Sequence, residues 1–131
     1  MRAGLIFCLA GVAVLAGLLL PPVARAQIGL RATGLPQRGG EAIYKGICQG
    51  CHMPDARGAT GAGTYPALAS NSKLEVAGYP ISVIIHGQKA MPEFGQAFDD
   101  QQIADVVNYI RSHFGNDYKD PVTPKDVRAA R

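Results

Sequence analysis

Two cysteines, a histidine and a methionine fall within six consecutive residues, Cys48-Gln49-Gly50-Cys51-His52-Met53. Three chemistries use such a set: a redox dithiol, half of a zinc site, or a covalent anchor for haem. In a helical turn Cys48, Cys51 and His52 stand at i, i+3 and i+4 and share a face, so two thiols and one imidazole point the same way. Cys-x-x-Cys-His is the attachment signature of c-type haem. The thiols add across the two vinyl groups as thioethers, and the adjacent imidazole reaches the iron from the same side. A thioredoxin-like dithiol needs a preceding strand and a βαβ context, which this chain does not offer. A structural zinc site needs four ligands, typically from two such knuckles, and His86 and His113 show no ligand spacing. A Cys48–Cys51 disulfide would close a tiny loop and gain little. The expected cofactor is one covalently bound haem c, with His52 as the proximal iron ligand.

The iron then needs a sixth ligand or an open position. Met53 follows the proximal histidine and is held on its side of the ring. His113 lies between core positions of a C-terminal helix, where a histidine is more often exposed. His86 closes an apolar run and stays open as an alternative. Met91, in Lys89-Ala90-Met91-Pro92-Glu93-Phe94-Gly95, lies in a loop free to fold over the far face and is the expected distal ligand. Histidine and methionine together raise the potential and suit electron transfer rather than oxygen chemistry. A ligating imidazole usually donates its second N–H to a carbonyl. Pro66, in Tyr65-Pro66-Ala67-Leu68, is the candidate carbonyl, with Leu68 packing on the haem.

The elements that must position these groups begin after a leader. Arg2 is followed by an apolar run from Leu5 to Leu20 and by Ala24-Arg25-Ala26, a small-x-small cleavage signal. Residues 1–26 read as a secretory signal peptide. The alternative is a retained anchor, but the run falls short of the roughly 20 residues that a spanning helix needs. Phe7 before Cys8 disfavours a lipoprotein. Cleavage would export a chain that does not span the membrane to the periplasm and leave Cys48 and Cys51 as its cysteines. Loss of Arg2 and Arg25 takes 13 basic residues to 11 against 10 acidic, and the formal charge from +3 to +1. No basic stripe or aromatic-basic interleaving argues for nucleic acid.

Residues 27–38 read as an extended lead-in. Residues 40–52 read as a helix with Ile43, Ile47 and Cys51 at four-residue spacing. Residues 54–71, with three glycines and two prolines, read as loop. Residues 79–87 are a short apolar run whose period fits either a strand or a buried helix, and 88–99 form a second loop. Residues 99–116 carry the clearest pattern. Asp99 and Gln102 suit a capping box. Ile103, Val106, Val107, Ile110 and Phe114 line one face, and Gly115 and Asn116 end the helix. Thr123 and Pro124 suit the start of a short terminal helix, with a frayed tail as the alternative. Two long loops in so small a domain make sense if they wrap a large apolar cofactor.

Set in this order, the chain resembles class I cytochromes c over residues 39–115, with 116–131 as a C-terminal tail. The resemblance implies an all-α fold, N- and C-terminal helices crossing, and loops wrapped around one covalent haem. It makes residues 79–87 a helix. It assigns Cys48 and Cys51 to the thioethers, His52 and Met91 to the iron, and Pro66 to the ring of His52. By position, Gly40 and Tyr44 of the first helix pack against Tyr109 of the last. Residues 79–127 are also similar to cytochrome subunits of bacterial periplasmic dehydrogenases. Larger subunits of that kind carry several haem domains, whereas this chain has one motif. The function implied is a single-electron carrier, not itself an enzyme. Its donor would be a periplasmic dehydrogenase and its acceptor another cytochrome or a terminal oxidase. A peroxidase or a gas-binding cytochrome would need an open sixth position. Lys45, Lys73 and Lys89 flank the site, either as a docking ring or as ordinary solvated lysines.

Overall fold

The computed structural model describes residues 35–61 and 63–131. The signal-peptide reading of residues 1–26 and most of the lead-in fall outside the described residues. In chain order the elements are α1 (Gly40–Ile43), a π-helical segment (Tyr44–Cys48), α2 (Gln49–His52), β1 (Ala59–Thr60) and β2 (Thr64–Tyr65). A 3₁₀ turn (Ser72–Leu74), α3 (Gly78–His86), α4 (Asp100–Ser112) and α5 (Pro124–Ala129) follow.

Residues 40–52 run as one continuous helical stretch, with a π segment in its middle. That insertion changes the phase of the faces. Ile43 and Tyr44 are both buried, Ile47 is half-buried and Cys51 is exposed. The expected stripe of Ile43, Ile47 and Cys51 therefore does not hold. The wider turn lets one stretch commit its first half to the core, keep Cys48 at its border and carry Cys51 to the surface.

The expectation of a purely helical chain needs a correction in residues 59–65. Here β1 and β2 pair antiparallel, with Ala59 opposite Tyr65 and Thr60 opposite Thr64. Gly61 and Gly63 close the ribbon through a backbone bond of 2.9 Å. Thr60, Thr64 and Tyr65 are types that suit extended backbone. Glycine count alone made this stretch read as loop.

Residues 78–86 form helix α3. Pro80 sits in its first turn, where a missing N–H costs nothing, and Pro80, Ile81, Ile84 and Ile85 are buried. Gly87, at φ 72°, ends it. Asp99 caps α4 through the expected box: its carboxylate accepts from Gln102 N at 2.8 Å, and Gln102 Oε1 accepts from Asp99 N at 2.9 Å. Ile103, Val106, Val107 and Ile110 are buried as their spacing predicts. The helix stops at Ser112, earlier than expected. Phe114 (φ 59°) and Gly115 (φ 80°) turn the chain back, and Asn116 Nδ2 donates to the Ile110 carbonyl at 2.8 Å. Phe114 thereby packs on Tyr44, with ring centroids 4.8 Å apart. Thr123 caps α5 with Asp126 in a second box, and Pro124 opens the helix.

The core lies where α1 meets α4, with α3 and α5 packed on α4. Gly40 permits the first contact. A Cβ there would lie 2.2 Å from the Asp105 carbonyl oxygen and 2.5 Å from Tyr109 Cβ. Arg111 is fully buried and ties α4 to two loops. It donates to the Leu74 and Glu75 carbonyls at 2.8 and 2.9 Å, and to the Asp120 carboxylate at 2.7 Å. Among the described residues no helix is long and apolar enough to cross a membrane.

Candidate cofactor-binding site

His52 ends α2, and its side chain is 7% exposed. Its Nδ1 lies 2.9 Å from the Pro66 carbonyl oxygen. A carbonyl can only accept, so Nδ1 carries the proton, and Nε2 presents a lone pair in the neutral ring. The structure thus brings together the two residues that sequence reasoning paired for this purpose.

The backbone around His52 is held from several directions. Met53 leaves the helix at φ 68°, and its carbonyl accepts from the Tyr44 hydroxyl at 2.7 Å. Burial pushes the Tyr44 hydroxyl up to about 12, so it stays protonated and donates. Gly58 N donates to the His52 carbonyl at 3.0 Å. The buried Ala56 carbonyl accepts from Leu68 N and Ala69 N at 2.7 and 2.9 Å, which fixes the segment after Pro66.

Asn116 completes this frame. It is buried, donates to the Leu68 carbonyl at 2.8 Å and accepts from Asn71 N at 2.9 Å. Asn71 in turn donates to the Ala67 carbonyl at 2.7 Å. The sequence marked Asn116 only as the end of a helix. Its role as a polar bolt between α4 and the Pro66 segment carries no local signal, because its partners lie 45 and 48 positions away. Gly58 was likewise one glycine among several in a loop.

Cys48 and Cys51 are free thiols. Cys48 is half-buried against the core, and burial pushes its thiol up to about 11. A redox dithiol works as thiolate, so this environment runs against that alternative. Among the described residues no three His, Cys, Asp or Glu side chains are grouped to hold a bare metal ion.

Met91 is half-buried and borders the same core as Cys48, Leu68 and Phe94. Its backbone is fixed by a tight turn in which Gln88 and Met91 exchange N–H···O bonds of 3.0 and 3.1 Å. Phe94 N and Gly95 N donate to the Ile84 and Ile85 carbonyls at 2.9 and 3.2 Å, which docks the loop on α3. His86 is exposed and borders a cavity of about 180 Å³ with Glu93, Gln96 and Arg131. His113 is exposed and stacks on Tyr109, with centroids 4.1 Å apart. Of the three lysines singled out, Lys45 pairs with Glu41 at 2.6 Å, while Lys73 and Lys89 are exposed.

The donor set fits haem c. It comprises two free thiols in one helical stretch, an imidazole held by its Nδ1 on the Pro66 carbonyl, and a thioether bordering the same apolar core.

Residues 36–110 match the family model described as "Cytochrome C oxidase, cbb3-type, subunit III". The chain is 34% identical over 104 residues to the gluconate 2-dehydrogenase cytochrome c subunit of Pantoea cypripedii, covering 70% of this chain and 24% of that protein. It is 36% identical over 106 residues to the cytochrome c subunit of a quinone alcohol dehydrogenase from Gluconacetobacter polyoxogenes, covering 70% and 22%. It is 34% identical over 92 residues to the fructose dehydrogenase cytochrome subunit of Gluconobacter japonicus, covering 59% and 19%. The chain thus spans about a quarter or less of the length of these relatives.

Proposed function

The chain belongs to the cytochrome c family described by that model, and on that premise we propose that it is a mono-haem c-type cytochrome of the class I fold. It carries single electrons in the periplasm. Its donor is a dehydrogenase, to which it is a subunit or an acceptor, and its own acceptor is another cytochrome or a terminal oxidase. The chain itself is an electron carrier and not a catalyst. The names of the three relatives given above, cytochrome subunits of dehydrogenases for gluconate, fructose and alcohol, support the choice of donor.

Bound haem supplies a one-electron iron couple. The chain's residues do the rest. Cys48 and Cys51 anchor the ring as thioethers, and His52 gives its Nε2 to the iron. Pro66 holds the imidazole by its carbonyl, Leu68 contributes an apolar wall, and Met91 is the distal ligand. The observation that carries this reading is the 2.9 Å bond from His52 Nδ1 to the Pro66 carbonyl. It joins the attachment motif to a residue outside it and leaves the ligating nitrogen free. Residues 1–26 serve as the cleaved export signal.

The test is a spectrum of the purified ferric protein. Sulfur on iron gives a weak red charge-transfer band, and Met91→Ala abolishes it while covalent haem is retained. Absence of the native band together with ready carbon monoxide binding would overturn the carrier assignment in favour of an open iron site.

A further inference from the structure

We propose that Gly58, outside the attachment motif, is a positioning residue that sets the hydrogen bond between His52 and Pro66. The proposal rests on the haem reading and deepens it.

Gly58 sits between the two partners of that bond. On one side its N–H donates to the His52 carbonyl at 3.0 Å. On the other its Cα faces the Tyr65–Pro66 peptide so closely that a Cβ would lie 2.1 Å from the Tyr65 oxygen, 2.8 Å from the Pro66 carbonyl carbon and 2.9 Å from the Pro66 oxygen. The last of these is the atom that receives His52 Nδ1. The ribbon continues the contact at once, with Ala59 paired to Tyr65. The approach of the Pro66 carbonyl to the imidazole is therefore set by the absence of a side chain at position 58.

Gly58 also has φ +68°, which any other residue adopts with strain. That requirement can be separated from the need for space. Gly39 has φ +80° and nothing within 4 Å of its would-be Cβ. Substitution at Gly39 carries the conformational cost alone, whereas substitution at Gly58 also pushes the Pro66 carbonyl off the ring. A weaker Nδ1–H bond makes the imidazole a poorer electron donor through Nε2. Poorer donation favours the ferrous state and raises the reduction potential.

The experiment compares haem-loaded wild type, Gly58→Ala and Gly39→Ala. Reduction potential and the His52 Nδ1–H resonance of ¹⁵N-labelled ferrous protein are measured beside thermal stability. Gly58→Ala should move the potential to more positive values, with faster exchange of the Nδ1 proton. Gly39→Ala should lose stability but leave potential and resonance where they are. A folded, haem-loaded Gly58→Ala with unchanged potential and resonance overturns the proposal and leaves the haem reading intact. Gly58→Asn tolerates positive φ better while keeping a Cβ, and serves should Gly58→Ala not fold. If neither folds while Gly39→Ala does, Gly58 is purely structural and the proposal fails. Wild-type protein without covalent haem removes the underlying reading, and this inference with it.

Discussion

Replacing Gly40 tests the contact on which the core depends. Its would-be Cβ would lie 2.2 Å from the Asp105 carbonyl oxygen, against about 3.4 Å for ordinary contact. Backbone on both sides must give by roughly 1 Å, because the obstructing atoms include Asp105 O and C and not the end of a flexible side chain. Forcing a methyl into such a space costs about 3 kcal/mol. A glycine-to-alanine change inside a helix returns up to about 1 kcal/mol. The net loss for Gly40→Ala is therefore about 2 kcal/mol. At about 4–8 °C per kcal/mol for a domain of this size, the midpoint should fall by roughly 8–16 °C. Gly40→Val adds two methyls on a stiff β-branched stem and should cost more than about 3 kcal/mol. Thermal unfolding followed by circular dichroism reads the effect. Gly78→Ala is the control, since Gly78 opens α3 with nothing within 4 Å of its would-be Cβ, and it should stay within about 0.5 kcal/mol of wild type. A Gly40→Ala protein as stable as Gly78→Ala would refute the close packing of α1 on α4.

Arg111→Met should destabilise by about 3 kcal/mol in urea titration, because it strands the carbonyls of Leu74 and Glu75 in a buried site. Arg111→Lys should recover little, since one ammonium cannot reproduce the fork. Asn116→Ala should cost about 2–3 kcal/mol by the same assay, since it leaves Asn71 N–H and the Leu68 and Ile110 carbonyls without their partner. Asp100 is held below its ordinary 3.8 by hydrogen bonds from Arg131 and Arg128. A folded value below the unfolded one means stability that is complete well above pH 3.8 and is lost as the pH falls through the folded value. Asp100→Asn should flatten that acid limb in midpoint-against-pH curves, and an unchanged limb would place its source elsewhere.

What could be read in the sequence follows from how local each signal is. The pairing of His52 with the Pro66 carbonyl and the capping box of Asp99 and Gln102 were legible, the first from motif chemistry and the second from three-residue spacing. The buried stripe of α4 was legible because its period is regular. The phase of residues 40–52 was not, because a π segment shifts the faces and leaves Cys51 exposed where four-residue spacing had placed it on one stripe with Ile43 and Ile47. The ribbon at residues 59–65 escaped because its glycines read as loop, although they shape a tip. The roles of Arg111 and Asn116 depend on backbone partners tens of positions away, and no pattern in their own neighbourhood announces them. His86, kept open as an alternative ligand, lies exposed beside Glu93 and Arg131, an arrangement that requires the folded chain to see.

The contact between α1 and α4 also imposes an order in time. The helical stretch of residues 40–52 is of a length at which a helix is marginal alone. Its support arrives from the other end of the domain, as the bond from Gln102 to Leu35 across 67 positions illustrates. Until the segment that becomes α4 has been made and has closed that long loop, the stretch around Cys48 has little to rest on, and its thiols lie open to whatever must act on them. Closure shuts Cys48 against the core, with its thiol pushed up to about 11. The packing of Cys48 on the core therefore depends on the two ends of the domain meeting.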